Sequence, residues 1–158
     1  MSLKVRRVIT GHDASGQAVV AIDEIATNVT ARRPNQAACV IWSTGEFPAD
    51  NDAPGDGGMR PVGTTDPDGT VFRLVQYGPG IVPRVHRTES IDYAIVMSGE
   101  IDLEMDGNVV HLTAGDVVVQ RGTIHSWINN GTEPCTIGFV LVAAKPVERA
   151  GRLLTETR

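Results

Sequence analysis

Aromatic residues make up only 4% of the 158-residue chain, and there are just two cysteines. Two thiols cannot staple a disulfide scaffold. Cys39 and Cys135 each lie in an apolar run and are expected as buried, reduced side chains. Basic charge is also short: 14 Lys and Arg against 19 Asp and Glu leave a net charge of −5. The densest basic run, Lys4-Val-Arg6-Arg7, reads as a solvated strand edge. Nucleic acid is therefore not an expected partner, since phosphate binding needs concentrated positive charge. No apolar run approaches the roughly 20 residues that span a bilayer, so no membrane partner is expected. Nothing behind Met1-Ser-Leu-Lys-Val resembles the apolar region of a secretory leader, and the cytoplasm is the expected location. The Asn28-Val-Thr30 and Asn130-Gly-Thr132 tripeptides are then coincidental matches to a glycosylation pattern. A Gly-x-Ser-x-Gly nucleophile elbow is missing as well, and neither cysteine has an activating neighbour.

Strand signals dominate what is present. The 41% hydrophobic content and the length suit one domain with a sizeable core. Residues 5–10 and 17–22 are β-prone runs around the turn-rich Gly11-His-Asp-Ala-Ser-Gly16, which predicts a hairpin; residues 37–43 predict another strand. Residues 44–70, centred on Ala53-Pro-Gly-Asp-Gly-Gly58, have no periodicity and predict a long loop, either a lid, a partner contact or a mobile segment. This glycine cluster lacks the Lys-Ser/Thr of a phosphate loop. From residue 71 the pattern tightens. Residues 71–77 predict a strand stopped by Gly78-Pro-Gly80. Ile91, Tyr93, Ile95 and Met97 alternate with Asp92, Ala94, Val96 and Ser98, and Ile101, Leu103 and Met105 alternate with Asp102, Glu104 and Asp106. Asp106-Gly107 is a tight-turn signal before residues 109–113, and Ala114-Gly-Asp116 precedes residues 117–120. Residues 125–129 pair across Asn130-Gly131 with the apolar run 135–143, which should be buried on both sides. Only residues 147–155 predict a short C-terminal helix, weakened by Gly151. Regularly spaced short strands imply an antiparallel sandwich or barrel.

Two of the four histidines stand in a chemically suggestive setting. On an extended chain His86, Thr88, Ser90 and Asp92 share one face, with Arg84 on the same side. His125, Trp127 and Asn129 form a second one-sided set. Two imidazoles and a carboxylate converging inside a barrel would bind a divalent ion with open coordination positions; Fe(II), Zn, Mn and Ni all suit such donors. The alternative is a pair of hydrogen-bonded pocket histidines, with Asp92 orienting one of them. Arg84 is a candidate clamp for a substrate carboxylate or a rim ion pair. Trp127 and Tyr93 are candidate pocket walls, as Thr88 and Asn129 are candidate substrate contacts. His12 and His111 are expected at the surface, Asp102, Glu104 and Asp106 on a solvated face, and Met97 and Met105 in barrel packing.

These residues resemble the two motifs of the cupin superfamily. Gly80, His86, Asp92 and Gly99 fall in register on the first motif, and Gly115, Gly122, His125 and Asn129 on the second. The resemblance spans residues 71–143. It implies an all-β double-stranded β-helix, or jelly-roll barrel, holding one divalent metal through His86, Asp92 and His125. It further implies a homodimer that pairs or exchanges N-terminal strands. The chain then divides into N-terminal strands (1–43), loop (44–70), barrel (71–143) and tail (144–158). Three departures stand out: Thr88 replaces a histidine, Asp92 a glutamate and Gln120 a proline. The implied activity is a metal-dependent decarboxylase, dehydratase or dioxygenase acting on a small oxygenated or carboxylated molecule. A non-catalytic small-molecule binder and a metal-independent isomerase with a histidine base are the alternatives.

Overall fold

A computed structural model describes residues 2–157; Met1 and Arg158, at the outer ends of the expected segments 1–43 and 144–158, lie outside the described residues. Twelve strands and no helix form among them. β3 (Gln36–Thr44), β4 (Thr70–Tyr77), β10 (Cys135–Ala143), β5 (Ser90–Ser98) and β8 (Val117–Arg121) make one antiparallel sheet, in that spatial order. β7 (Asn108–Thr113), β6 (Glu100–Met105) and β9 (Ser126–Ile128) make a second. The main core, which includes Val71, Val96, Ile101, Leu103, Trp127 and Ile137, draws on both sheets. This is the all-β barrel expected from the period-two patterning.

Turn chemistry sets the registers. Asp106 and Gly107 both take positive φ, which closes β6 onto β7 with Met105 opposite Asn108. The same chemistry overturns the expected C-terminal helix. Ala150 and Gly151 also have positive φ, and residues 147–155 form a hairpin of β11 (Val147–Arg149) and β12 (Arg152–Leu154). A two-residue turn leaves no room for the first turn of a helix. Beyond it, Thr157 exchanges two backbone hydrogen bonds with Arg87, so the tail adds to the segment carrying His86.

The N-terminal hairpin forms as expected, from β1 (Arg6–His12) and β2 (Ala18–Ile25). Its root is not the solvated edge that the basic run suggested. Arg6 is exposed and pairs with Asp23, whereas Arg7 is buried, bonded to Glu24 and Asp56 and close to the Ile41 carbonyl. Asp56 belongs to the long loop. That loop is thus pinned to the hairpin, and further fastened by the Asn28 amide on the Gly58 carbonyl and by Arg60 on the Ser43 hydroxyl of β3. β3 lies in the barrel sheet, and its outward residues Cys39 and Ile41 pack under Val5 and Ala26 in a second, smaller core.

Candidate functional site

The two histidine segments are joined by backbone. His86 and His125 each donate an N–H to the other's carbonyl, at 3.0 and 2.9 Å, as an isolated antiparallel bridge. That pairing sets their imidazoles side by side, with ring centroids 4.3 Å apart. His86 Nδ1 lies 3.0 Å from the Arg84 carbonyl and His125 Nδ1 lies 3.0 Å from the Thr123 carbonyl. A carbonyl only accepts, so each Nδ1 carries the proton and each Nε2 keeps its lone pair. Burial pushes the pKa of both rings down, His125 to about 4. The pair is therefore neutral around pH 7.

Both rings line a cavity of about 370 Å³ inside the barrel. Arg84, Thr88, Asp92 and Trp127 share it, as their parity predicted. The Asp92 carboxyl is buried, and desolvation raises its pKa to about 6 against the opposing hydrogen bond from Ser90. The Ser90 hydroxyl donates to Asp92 Oδ1 at 2.5 Å and lies 2.9 Å from the Thr88 hydroxyl. Trp127 forms the apolar wall, edge-on to His125 and to Phe139 with centroids 6.1 and 5.6 Å apart.

Two expected pocket residues lie elsewhere. Tyr93 is 49% exposed on the outside of β5, because alternation turns it away from its buried neighbours Asp92 and Ala94. Met97 follows it outward, at 54% exposure, rather than packing in the barrel. Asn129 is buried but structural. Its amide donates to the Tyr77 and Glu133 carbonyls and its Oδ1 accepts from the Gly131 N–H, tying the turn after β9 to the end of β4. His111 sits at the surface as expected, bonded to Asp102.

The expected three-donor metal centre is not assembled. No group of three His, Cys, Asp or Glu side chains close enough to share one ion forms among the described residues. Asp92 is one methylene shorter than glutamate and is held by Ser90, while the Thr88 hydroxyl is a poor ligand engaged in the same chain. His86 and His125 alone present free donor nitrogens. Two imidazoles are short of the three protein donors of an ordinary catalytic metal site, so the side chains present do not fit a resident ion.

Sequence reading missed the cavity's cationic lining. Arg32, Arg33, Arg60 and Arg73 join Arg84 there. Arg73 carried a legible signal: it is the one charge on the otherwise apolar parity Val71, Val75, Tyr77.

The cupin domain family model matches residues 73–142. Over 157 aligned residues the chain is 39% identical to phomopsin biosynthesis cluster protein C′ of Diaporthe leptostromiformis, with 94% of this chain and 83% of that protein covered. It is 34% identical to the cupin-domain-containing oxidoreductase fogC of Aspergillus ruber, covering 94% of this chain and 77% of that protein. An RmlC-like cupin from Shewanella frigidimarina superposes with a TM-score of 0.51 at 14% identity, over 75% of this chain and 85% of the other, a likeness of fold alone. Barrel topology, motif register and relatives agree: this chain belongs to the cupin superfamily.

Proposed function

We propose that the protein is an enzyme of small-molecule biosynthesis that moves a proton on an organic substrate, with His125 as the base. The observation behind this reading is the paired imidazoles, each locked by a backbone carbonyl at Nδ1 and left free at Nε2. A neutral imidazole oriented in that way accepts a proton from a substrate C–H or O–H. His86 abuts His125 and shares the cavity; the imidazolium that His125 becomes returns its proton to a second substrate atom, and Asp92, ionised above its raised pKa of about 6, supplies negative charge in the same cavity to steady that cation. Trp127 and Phe139 hold the apolar body of the substrate and exclude water. The relatives' names, biosynthesis cluster protein and cupin-domain-containing oxidoreductase, support a biosynthetic role. Proton removal is a step that oxidation and isomerisation share.

A host lacking the gene should accumulate a small molecule that the purified protein converts. Conversion should survive exhaustive chelation and be lost in His125→Ala. The second reading is a divalent ion that enters with the substrate, favoured by the two free Nε2 atoms of His86 and His125, with the substrate completing the donor set that the side chains leave short. Loss of conversion on chelation, restored by one added metal, would establish that reading and sink the first.

The outer face of the larger sheet supports a homodimer. Phe72, Val140, Tyr93 and Val119 form one cross-strand row, and Leu74, Gly138, Ile95 and Val117 the next. All of the first row, and Ile95 and Val117 of the second, are exposed. The β3 end of the same face is already covered by the chain's own Val5 and Ala26. An exposed apolar patch of this kind favours association, and a second copy is the occupant we propose.

A further inference from the structure

Arg73 occupies an unusual place for a cation. It sits on the inner face of β4 in the middle of the larger sheet, opposite Val40 on one side and Phe139 on the other. One nitrogen, Nη2, donates to the Gly63 carbonyl at 3.0 Å. Nε is buried with no hydrogen-bond partner. No carboxylate forms an ion pair with Arg73 among the described residues, in contrast with Arg7 and Arg60. Burial depresses its pKa, though an arginine stays charged at any working pH. The cavity offers no counter-charge to spare. Five arginines line it, and Asp92 is its one carboxyl, held by Ser90. A partly buried cation with no carboxylate partner favours an anion bound beside it.

We propose that Arg73 is the anion anchor of this cavity and that the ligand is a small organic carboxylate with an apolar body. A carboxylate accepts from the reachable terminal N–H groups of the Arg73 guanidinium, in the fork geometry that arginine favours. Arg84 and Arg32 add positive potential at the cavity wall, which draws the anion in. The apolar body lies against Val75, Phe139 and Trp127. Arg73 is the one arginine of this lining that stands on a strand of the sheet, and a single guanidinium fork suits a monocarboxylate better than a phosphate ester, whose greater charge needs more donors. The proposal rests on the reading of this cavity as the substrate site, and its test uses binding instead of turnover.

Benzoate, benzyl alcohol and inorganic phosphate serve as probes in calorimetric titrations of the full chain near neutral pH. Benzoate should bind at least about tenfold more tightly than benzyl alcohol or phosphate. Arg73→Gln should weaken benzoate at least about tenfold while leaving benzyl alcohol within about twofold. Arg73→Met should raise the Tm of the ligand-free protein, because it removes a partly buried charge that no carboxylate pairs. His125→Ala should keep benzoate binding, which separates this proposal from the assignment of the base. The proposal is overturned if benzoate gives no heat at millimolar concentration, or if Arg73→Gln binds it like wild type. Equal binding of phosphate and benzoate overturns it too. So does a fall in Tm for Arg73→Met, which would make Arg73 a strut for the loop at Gly63.

Discussion

The larger sheet has two faces built to opposite rules. Its inner face carries Arg73 on β4 and Asp92 on β5 among Val71, Val75, Ala94 and Val96. Its outer face carries Phe72, Tyr93, Ile95, Met97, Val117 and Val119, all exposed. An ordinary half-buried sheet puts its large apolar side chains inside and its charges outside. On β5 the small and polar residues, Ser90, Asp92 and Ala94, face in, and Tyr93, Ile95 and Met97 face out. Small inward side chains leave the volume that becomes the cavity. Polar ones give that cavity its chemistry at a cost in stability. The apolar outer rows are the surface that a second copy covers under our proposal.

The largest effect expected is on the inner face. His125→Ala should lower turnover by about 10²- to 10⁴-fold, read as kcat/KM on the molecule that the gene-deleted host accumulates. An unchanged rate would reduce the inner face to a binding surface. Next in size is a matched pair of isoleucines. Ile137, fully buried in the core, should cost about 2–5 kcal/mol when changed to alanine. Ile95, 53% exposed, should cost less than about 1 kcal/mol. Urea unfolding at a protein concentration low enough to favour monomer compares the two, and equal costs would erase the distinction between the faces.

Asp92→Asn tests whether the inner polar groups oppose stability. Folding raises this carboxyl's pKa from 3.8 to about 6, so the ionised form is disfavoured in the native state. Its favourable contribution is full below pH 3.8 and is lost as pH rises through 6. Asparagine cannot ionise and still accepts from Ser90. The variant should therefore be more stable than wild type at pH 7, by up to about 3 kcal/mol, with the gain vanishing as pH falls towards 4. His125 runs the other way. Its pKa is lowered to about 4, so its contribution is present above 6.5 and lost as pH falls through 4. A Tm-against-pH curve for Asp92→Asn that stays parallel to wild type would show that the carboxyl is not strained. The smallest effect on the fold is expected from Ile95→Glu combined with Met97→Glu. Sedimentation should show dimer becoming monomer with the circular dichroism spectrum retained, and a wild type that is already monomeric would leave the outer rows uncovered.

Much of this was legible in the sequence wherever a local rule governs. Period two placed nearly every strand, and the parity of His86, Thr88 and Asp92 put them in one cavity. Where two rules competed, reading failed. Residues 147–155 have side chains tolerable in a helix, but the backbone preference of Gly151 and pairing of Val147 with Leu154 prevailed. Tyr93 stands beside the motif residue Asp92, and Asn129 shares the parity of His125 and is itself a motif residue, yet neither lines the pocket. Alternation sent Tyr93 outward, and hydrogen bonds to Tyr77, Gly131 and Glu133 consumed Asn129. Arg7 looked like one more basic residue, because its partner Asp56 lies 49 positions away.

The sequence by itself determined most of the strands, the turns between them and the two histidines at their motif positions, because each depends on neighbours within a few residues. Tertiary structure alone decided what those histidines face. Backbone pairing of His86 with His125, the tether of Asp92 by Ser90, and the seating of Arg73 between Val40 and Phe139 are cross-strand or through-space relations. Desolvation, which sets the charge of His125 and Asp92, is likewise a property of everything packed around them. No stretch of chain contains that information until the sheet closes.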